Sequence, residues 1–460
     1  MGRRGRHGAM ILMVLAYLVG LLSTAPPPAL AYDSAFAPKD LFGVQQGGNF
    51  QHLPQAEIVH QLDGMQAMGV EWLRLDMNWA HIQAAGPVGY DWAKYDFVIA
   101  NAAARGIKTL ALVGYTPAWA RPPGTGDKTP PTSIVAFTTF VRQAVSRYAV
   151  APYAVHHWEI WNEPNNSHFW SPKADPAKYT QLLKQTYTAI KQQDPTAYVV
   201  SGGTSPAADN GSDMSPRTFL ATMYQYGAKG SFDALGHHPY SFPNSPELDP
   251  TVGGGDANWS AWFIMDGSAP SLRSLMVNKG DGAKKIWATE WGYPTGGGAS
   301  AVTEEQQADY LKRGLALFAS YSWGGPVFFY KYHDDCADAG NYDCWHGLTR
   351  LDYTEKPAFT TYAQISSDAV EPTVAITSHA TGTTLKVNTA VTLQANATDA
   401  VGLSNVAFYV NGTSVCVDAS APFTCVWTVP SKRGVQYTVE ARAFDIAGNH
   451  ASSSVKVTSN

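Results

Sequence analysis

Charge is scarce in this chain, and it is not biased towards the positive. Asp, Glu, Lys and Arg make up 15% of the 460 residues, and the formal net charge is −5. Nucleic acids and anionic membrane surfaces attract proteins with a surplus of Lys and Arg, so neither is expected as a partner. The length instead allows a large core and more than one domain. Composition therefore predicts a globular protein whose surface is rich in neutral polar groups.

Cysteine is also rare. The four cysteines form two closely spaced pairs, Cys336 with Cys344 and Cys416 with Cys425. These spacings do not match the short CxxC knuckles of zinc sites, so two local disulfides are favoured over a four-thiolate zinc site. Disulfides of this kind are typical of exported proteins.

No apolar run near the N-terminus is long enough to span a membrane. The segment from Met10 to Leu22 falls short of the roughly 20 residues that a span needs. A basic run precedes it and Ala29-Leu30-Ala31 follows it, an order typical of a secretory signal cleaved after Ala31. A single membrane anchor is the alternative. We therefore expect residues 1–31 to be a signal peptide. The mature protein is expected to be secreted or held at the cell wall, without a membrane partner.

The glycine-rich phosphate turn of dinucleotide-binding sheets is missing. Gly47-Gly48-Asn49 lacks the GxGxxG spacing, which disfavours an open doubly wound sheet. Eight short apolar segments instead alternate with amphipathic windows, which predicts a (β/α)8 TIM barrel over residues 32–367. The predicted strands are 41–44, 70–76, 109–115, 157–163, 197–203, 232–238, 285–292 and 326–332, and the clearest predicted helices are 90–105, 133–148, 176–193 and 304–321.

From about Asp368 the helical windows stop. Short strands separated by turns such as Asn411-Gly412 predict a small all-β sandwich of immunoglobulin type over residues 368–460. Cys416 and Cys425 lie about a hairpin apart, so their disulfide is expected to join neighbouring strands rather than the two sheets.

Two of the predicted barrel strands end in a glutamate with aromatic neighbours. The segment His157 to Pro164 ends in Asn162-Glu163-Pro164, and Pro164 cannot continue a central strand. The segment Lys285 to Gly292 carries Glu290 between Thr289 and Trp291. Carboxyl ends of barrel strands share one face, where active sites lie. Other polar residues at predicted strand ends are Arg74, Asp76, His238 and Tyr240.

Paired carboxyls at such a face suit the cleavage of a glycosidic bond. One group must protonate the departing oxygen, and the other must capture or stabilise the positive anomeric carbon. The ordered motifs Trp161-Asn162-Glu163-Pro164, His238-Pro239-Tyr240 and Thr289-Glu290-Trp291-Gly292 resemble those of the clan A retaining glycoside hydrolases. Within that clan the chain is most similar to family 39, including its PslG-like branch, and to family 5 cellulase-like enzymes.

The resemblance implies a role for each of several residues. Glu163 would be the general acid/base and Glu290 the nucleophile of a double displacement. Asn162 would bind the hydroxyl next to the attacked carbon, and Tyr240 would donate a hydrogen bond to Glu290. His238 would line the same subsite, and Arg74 would hold the nucleophile electrostatically. For Arg74 and His238 a purely structural role is the alternative.

Aromatic residues are candidates for the platform beneath the sugar. Trp119, Trp161 and Trp291 are either sugar platforms or core residues. Clan A enzymes often carry a tryptophan on strand eight, whereas this chain has Phe328, Phe329, Tyr330 and Tyr332 there. Tyr332 is our choice for the platform.

The expected activity is that of a secreted O-glycosyl hydrolase acting on a carbohydrate polymer or oligosaccharide. Neither a cofactor nor a metal is expected, since the acidic loop around Asp334 is better explained as a solvated loop than as a cation site. The protein is expected to be a monomer. Two alternatives remain open: a carbohydrate-binding or adhesive protein without activity, and a transglycosylase built on the same barrel.

Overall fold

The computed structural model describes residues 40–252 and 260–460. The predicted signal peptide lies outside the described residues. Within the part of the chain that is described, no helix combines the length and apolarity that a bilayer crossing requires.

Eight parallel strands close into a barrel in chain order, with β1 hydrogen-bonded to both β2 and β8. The predicted (β/α)8 TIM barrel is therefore confirmed. The strands are β1 Phe42–Gln45, β2 Trp72–Asn78, β3 Lys108–Gly114, β4 His157–Ile160, β5 Tyr198–Ser201, β6 Ala234–His237, β7 Lys285–Trp291 and β8 Gly324–Tyr330.

The helices that surround the barrel begin at local sequence signals. Asp175 and Ser133 cap the helices that follow them, and Thr303 forms a reciprocal capping box with Gln306. The helices are α1 Gln55–Ala67, α2 Trp79–Ile82, α3 Ala93–Ala104, α4 Ile134–Tyr148, α5 Pro176–Gln193, α6 Pro216–Gln225, α7 Ala261–Asp266, α8 Leu272–Asn278, α9 Glu304–Ser320 and α10 Pro357–Ser366.

Two apolar clusters fix the barrel. The larger one fills the space between the strands and the surrounding helices. The smaller one takes residues from six different strands, so it must lie inside the barrel, where large rings occupy the volume beneath the mouth. Its members are Trp72, Leu110, Val200, Ala234, Trp287 and Phe328. This filled interior gives the polar groups above it a rigid floor.

The C-terminal strands form two sheets, as the predicted sandwich requires. One has the order β10-β16-β15-β12-β13, and the other has the order β14-β11-β9. The strands are β9 Thr373–Ile376, β10 Thr384–Leu385, β11 Ala390–Thr398, β12 Leu403–Val410, β13 Thr413–Asp418, β14 Phe423–Thr428, β15 Gln436–Asp445 and β16 His450–Ser459.

All four cysteines are in disulfides, Cys336 with Cys344 and Cys416 with Cys425, so the zinc alternative is wrong. The expected position of the second bridge is also wrong. Cys416 lies on β13 and Cys425 on β14, and these strands belong to different sheets although they are consecutive in the chain. The chain crosses between the sheets where a hairpin was expected, so the disulfide joins the two sheets at one edge.

Candidate active site

Glu163 reaches the barrel mouth through a turn of unusual backbone conformation. Strand β4 ends at Ile160, and both Trp161 (φ 70°) and Glu163 (φ 42°) have left-handed backbone. Hydrogen bonds hold this turn, from Trp161 N to Val113 O (3.0 Å) and from Glu163 N to Gly203 O (2.9 Å). Left-handed non-glycine residues are unfavourable and cluster at functional sites. These hydrogen bonds thus hold Glu163 in a backbone conformation that is otherwise unfavourable for a glutamate.

Glu290 reaches the same mouth through a β-bulge. Ala288 pairs with Val327 and Trp291 with Phe329, so two residues of β7 oppose one residue of β8. Plain alternation would place only one of Thr289 and Glu290 on the inner face. The extra residue lets both face inwards, which is a common use of bulges beside active sites.

The two glutamates meet in one cleft. Carboxyl oxygens of Glu163 and Glu290, together with a ring nitrogen of His238, lie within 4.8 Å of one another. His238 Nδ1 is 2.9 Å from Glu163 Oε1 and 3.5 Å from Glu290 Oε2. Retaining glycosidases hold their carboxyls about 5–5.5 Å apart, whereas inverting enzymes need about 6.5–9.5 Å to admit a water. The separation fits the retaining geometry.

Arg74 organises the floor of this cleft. Its Nε donates to Glu159 (2.5 Å), one terminal nitrogen donates to Glu290 (2.5 Å) and to Gln45, and the other donates to Asn162 Oδ1 (2.8 Å). The Arg74 side chain is fully buried. A buried guanidinium needs its charge balanced and its donors satisfied, and these partners do both.

Glu159 was not singled out as a functional residue from the sequence. It is completely buried, and besides Arg74 it accepts hydrogen bonds from Gly203 N (2.9 Å) and Thr289 Oγ1 (2.9 Å). The signal was available, because a glutamate within an otherwise apolar buried strand needs a cationic partner.

Electrostatic interactions favour the ionised form of Glu290. Burial by itself would raise the pKa of Glu290, but His238, Arg74 and Tyr240 outweigh burial and bring this pKa below its ordinary value. Tyr240 contributes a hydrogen bond from its hydroxyl to Glu290 Oε2 (3.2 Å). Burial would lower the pKa of His238, but Glu290 and Glu163 raise it above its ordinary value.

The cleft opens into a cavity of about 780 Å³, a size within the usual range of small-molecule binding sites. The cavity is lined by Gln45, Gly47, Gly48, Asp76, Tyr115, Lys128, Asn162, Glu163, Asn166, His168, Phe169, Ser205, Pro206, Tyr240, Ser241, Phe242, Glu290, Ser300, Tyr330, Tyr342, Asp343 and His346.

Four of the residues predicted from the sequence line this cavity, namely Asn162, Glu163, Tyr240 and Glu290. Arg74 and His238 do not. They are buried behind the carboxylates, so the expectation that His238 lines the subsite is corrected: it contacts Glu163 from behind.

The predicted aromatic platforms lie elsewhere. Trp291 is fully buried and packs edge-on against Trp262. Trp119 donates to Gln83 O (2.8 Å). Trp161 is likewise buried and donates to Phe169 O (2.7 Å). None of these tryptophans lines the cavity.

The prediction that Tyr332 is the sugar platform is also wrong. Strand β8 ends at Tyr330, so the alternation that would bring Tyr332 inwards stops before it. Tyr332 instead packs against Phe359 and against α1, where any side chain at Gly64 would overlap its hydroxyl. Tyr330 takes the place in the cavity wall.

Glu163, His238 and Glu290 also have the atom types of a metal site. Arg74, however, already donates to Glu290 from behind at 2.5 Å. The Arg74 guanidinium therefore already balances the charge of Glu290. The arrangement of Glu163, His238 and Glu290 suits this guanidinium better than it suits a metal ion.

Comparison with known families agrees with this geometry. The family described as Cellulase (glycosyl hydrolase family 5) matches residues 41–325, and the family described as Bacterial Ig domain matches residues 372–441. The first match spans more than half of the chain and contains both glutamates.

Solved structures with the same fold include three glycosidases. A family 39 glycoside hydrolase from Bacteroides cellulosilyticus WH2 has a TM-score of 0.57 at 22% identity, covering 86% of this chain and 80% of its own. A monomeric beta-xylosidase from Caulobacter crescentus CB15 has a TM-score of 0.54 at 17% identity (88% and 74% covered). A GH39 enzyme from Xanthomonas axonopodis pv. citri has a TM-score of 0.55 at 17% identity (88% and 72% covered). Identities this low support the fold alone.

Replacing Arg74 by Met should destabilise the barrel strongly, because Glu159 and Glu290 would lose their shared cation. We expect a loss of about 3–5 kcal/mol at neutral pH. The loss should shrink on acidification for two reasons. The orphaned carboxylates can take up protons, and the wild-type protein loses the stability from the lowered pKa of Glu290 as the pH falls through that pKa. Urea unfolding followed by tryptophan fluorescence measures this loss of stability. The signal reports on the barrel, because every tryptophan except Trp427 lies before residue 368.

The matched control is Arg147→Met. Arg147 pairs with Asp96 at 2.5 Å, but both side chains are partly exposed (39% and 25%), so its loss should cost no more than about 1 kcal/mol. Equal losses in the two variants would contradict the central role of Arg74.

Proposed function

Because the chain belongs to the cellulase family of glycosyl hydrolases, family 5, we propose that it cleaves O-glycosidic bonds of a polysaccharide or oligosaccharide with retention of anomeric configuration. The observation that carries the proposal is the approach of Glu163 and Glu290 to within 4.8 Å across a carbohydrate-sized cavity. Such a gap permits direct attack by a carboxylate but leaves no room for an intervening water.

In the first step Glu290 is the nucleophile. Its carboxylate attacks the anomeric carbon, the bond from that carbon to the bridging oxygen breaks, and Glu163 donates its proton to the departing oxygen. The lowered pKa of Glu290 favours the ionised form that attack requires. In the second step Glu163 removes a proton from water, the hydroxide attacks the same carbon, and Glu290 leaves.

Asn162 is suited to orient the sugar. Arg74 can only donate hydrogen bonds, so its contact with Asn162 Oδ1 fixes which way the amide faces. The amide NH₂ is then free to donate to the hydroxyl next to the anomeric carbon, a contact that strengthens in the transition state. His238, hydrogen-bonded to Glu163 Oε1, positions the proton donor.

Loss of the nucleophile should abolish hydrolysis and be rescued by azide. We expect Glu290→Gly to lose about 10⁴-fold in kcat or more. With an activated aryl glycoside and azide it should form the glycosyl azide of inverted configuration. Glu163→Ala with azide should give the retained azide, because Glu290 still forms the covalent intermediate. Proton NMR of the products assigns both roles.

The substrate for these assays comes from a screen of plant, fungal and bacterial cell-wall polysaccharides with product sizing. Inversion by the wild-type enzyme would overturn the double displacement, and a wild-type protein that cleaves nothing would overturn the hydrolytic function.

Replacing Tyr240 by Phe should move the acid limb of the kcat/KM profile upwards. The Tyr240 hydroxyl stabilises the ionised form of Glu290, so its removal should raise the pKa of Glu290. Tyr353→Phe is the control, since Tyr353 also donates to a glutamate, Glu57 (2.8 Å), but does not line the cavity. An unmoved limb in Tyr240→Phe would show that this contact does not tune the nucleophile.

We also propose that the protein is exported, on the strength of the basic, apolar and small-residue order before Tyr32. Expressed with its native N-terminus in a secreting bacterial host, the protein should appear in the culture medium beginning at Tyr32. Retention in the cell with Met1 intact would contradict export.

A further inference from the structure

Asp76 is a carboxylate in the cavity wall to which the mechanism above gives no role. It lies on β2, two residues beyond Arg74, and lines the cavity although it is only 8% exposed. Its position at the mouth places it on the same inner face as Arg74, one layer nearer to the substrate.

The Asp76 carboxylate lacks a hydrogen-bond donor within the part of the chain that the structure describes. Among the described residues none is hydrogen-bonded to this carboxylate, and its Oδ1 is fully buried without a partner. The guanidinium of Arg74 is directed to Glu159, Glu290 and Asn162 instead. A buried carboxylate without donors is costly, since most buried polar groups in folded proteins are satisfied. A ligand in the cavity is able to supply the hydrogen-bond donors that the described residues lack.

Glycines of the loop after β1 leave this carboxylate accessible. Gly47 and Gly48 both line the cavity beside it. A methyl group at Gly48 would lie 3.1 Å from Asp76 Oδ2, closer than ordinary van der Waals contact. Any larger residue at position 48 would therefore crowd the oxygen that faces the cavity.

Lys128 adds a donor to the same wall. Its side chain is 26% exposed, lines the cavity, and holds its ammonium group over the ring of Tyr115, 2.9 Å from the ring centre. An acceptor and a donor on one wall match sugar hydroxyls, which both donate and accept hydrogen bonds. The negative charge of Asp76 repels a sugar that carries a carboxylate.

We propose that Asp76 and Lys128 are specificity-determining residues that bind hydroxyl groups of a neutral sugar unit, and that Asp76 disfavours uronic acids at this position. The proposal deepens the proposed function and rests on it for the nature of the ligand. Its distinctive consequence is that mutation of Asp76 should lower the affinity for the sugar without lowering the stability of the protein.

The test measures binding by calorimetry in the full-length Glu290→Gln protein, where oligosaccharides persist. The probes are cellotetraose, xylotetraose, mannotetraose and trigalacturonate. At least one neutral tetraose should bind, and adding Asp76→Asn should weaken it about 10- to 100-fold, the effect of losing charge-assisted hydrogen bonds. Lys128→Met and Gly48→Ala should weaken the same probe, while trigalacturonate should bind no more weakly to the Asp76→Asn protein than to its parent.

Thermal unfolding separates binding from a structural role. Asp76→Asn should leave Tm unchanged or raise it, because the variant removes an unsatisfied buried charge. Asp63→Asn, at a position on α1 whose side chain is 59% exposed, is the matched control and should change affinity less than about twofold.

The possible results distinguish failure of the role assigned to Asp76 from failure of the hydrolytic function. Asp76→Asn binding within about twofold of the parent, a fall in its Tm of several degrees, or no neutral probe bound at all would overturn the assignment of Asp76. If the parent binds a tetraose that the protein with Glu290 intact does not cleave, the hydrolytic function fails. The role of Asp76 is then decided by the binding data alone.

Discussion

The site depends on one buried guanidinium shared between two carboxylates. Arg74 donates to Glu159 within the barrel and to Glu290 at its mouth, both at 2.5 Å. Without Arg74 the two negative charges would lie in a low-dielectric interior, where removing one partner of a buried pair is far more costly than at the surface. Glu159 therefore acts through Arg74: it fixes the plane of the guanidinium, and the guanidinium fixes Glu290 and Asn162.

Two backbone irregularities bring the acidic groups to this cation. The left-handed turn at Trp161 and Glu163 ends β4, and the bulge in β7 opposes Thr289 and Glu290 to a single residue of β8. A regular strand would have turned one of the two residues on β7 away from the barrel axis. The barrel interior beneath the turn and the bulge is filled, with the rings of Trp72 and Trp287 edge-on at 5.5 Å. This close packing supports both irregularities.

The barrel and the two glutamates were predictable because both depend on short-range pattern. The alternation of apolar strands and amphipathic helices sets the architecture, and residues at the carboxyl ends of the strands lie at the mouth of the barrel. The position of a residue that follows the last residue of a strand is not determined by this pattern. Tyr332 was chosen as the platform from a predicted strand over residues 326–332, but the strand ends at Tyr330. The Cys416–Cys425 bridge was misjudged similarly, since short separation along the chain does not say whether the chain changes sheets between the two residues.

Burial separates the polar residues of this site into two kinds. Glu159 is fully buried and accepts from a guanidinium, a backbone amide and a hydroxyl, so its charge is satisfied by the fold itself. Asp76, nearly as buried, has no hydrogen-bond donor among the described residues. Sequence alone shows both as acidic residues within predicted barrel strands. The difference between them lies in which donors the closed barrel brings within reach, and an acceptor that the barrel leaves unsatisfied at a cavity wall is available to a ligand.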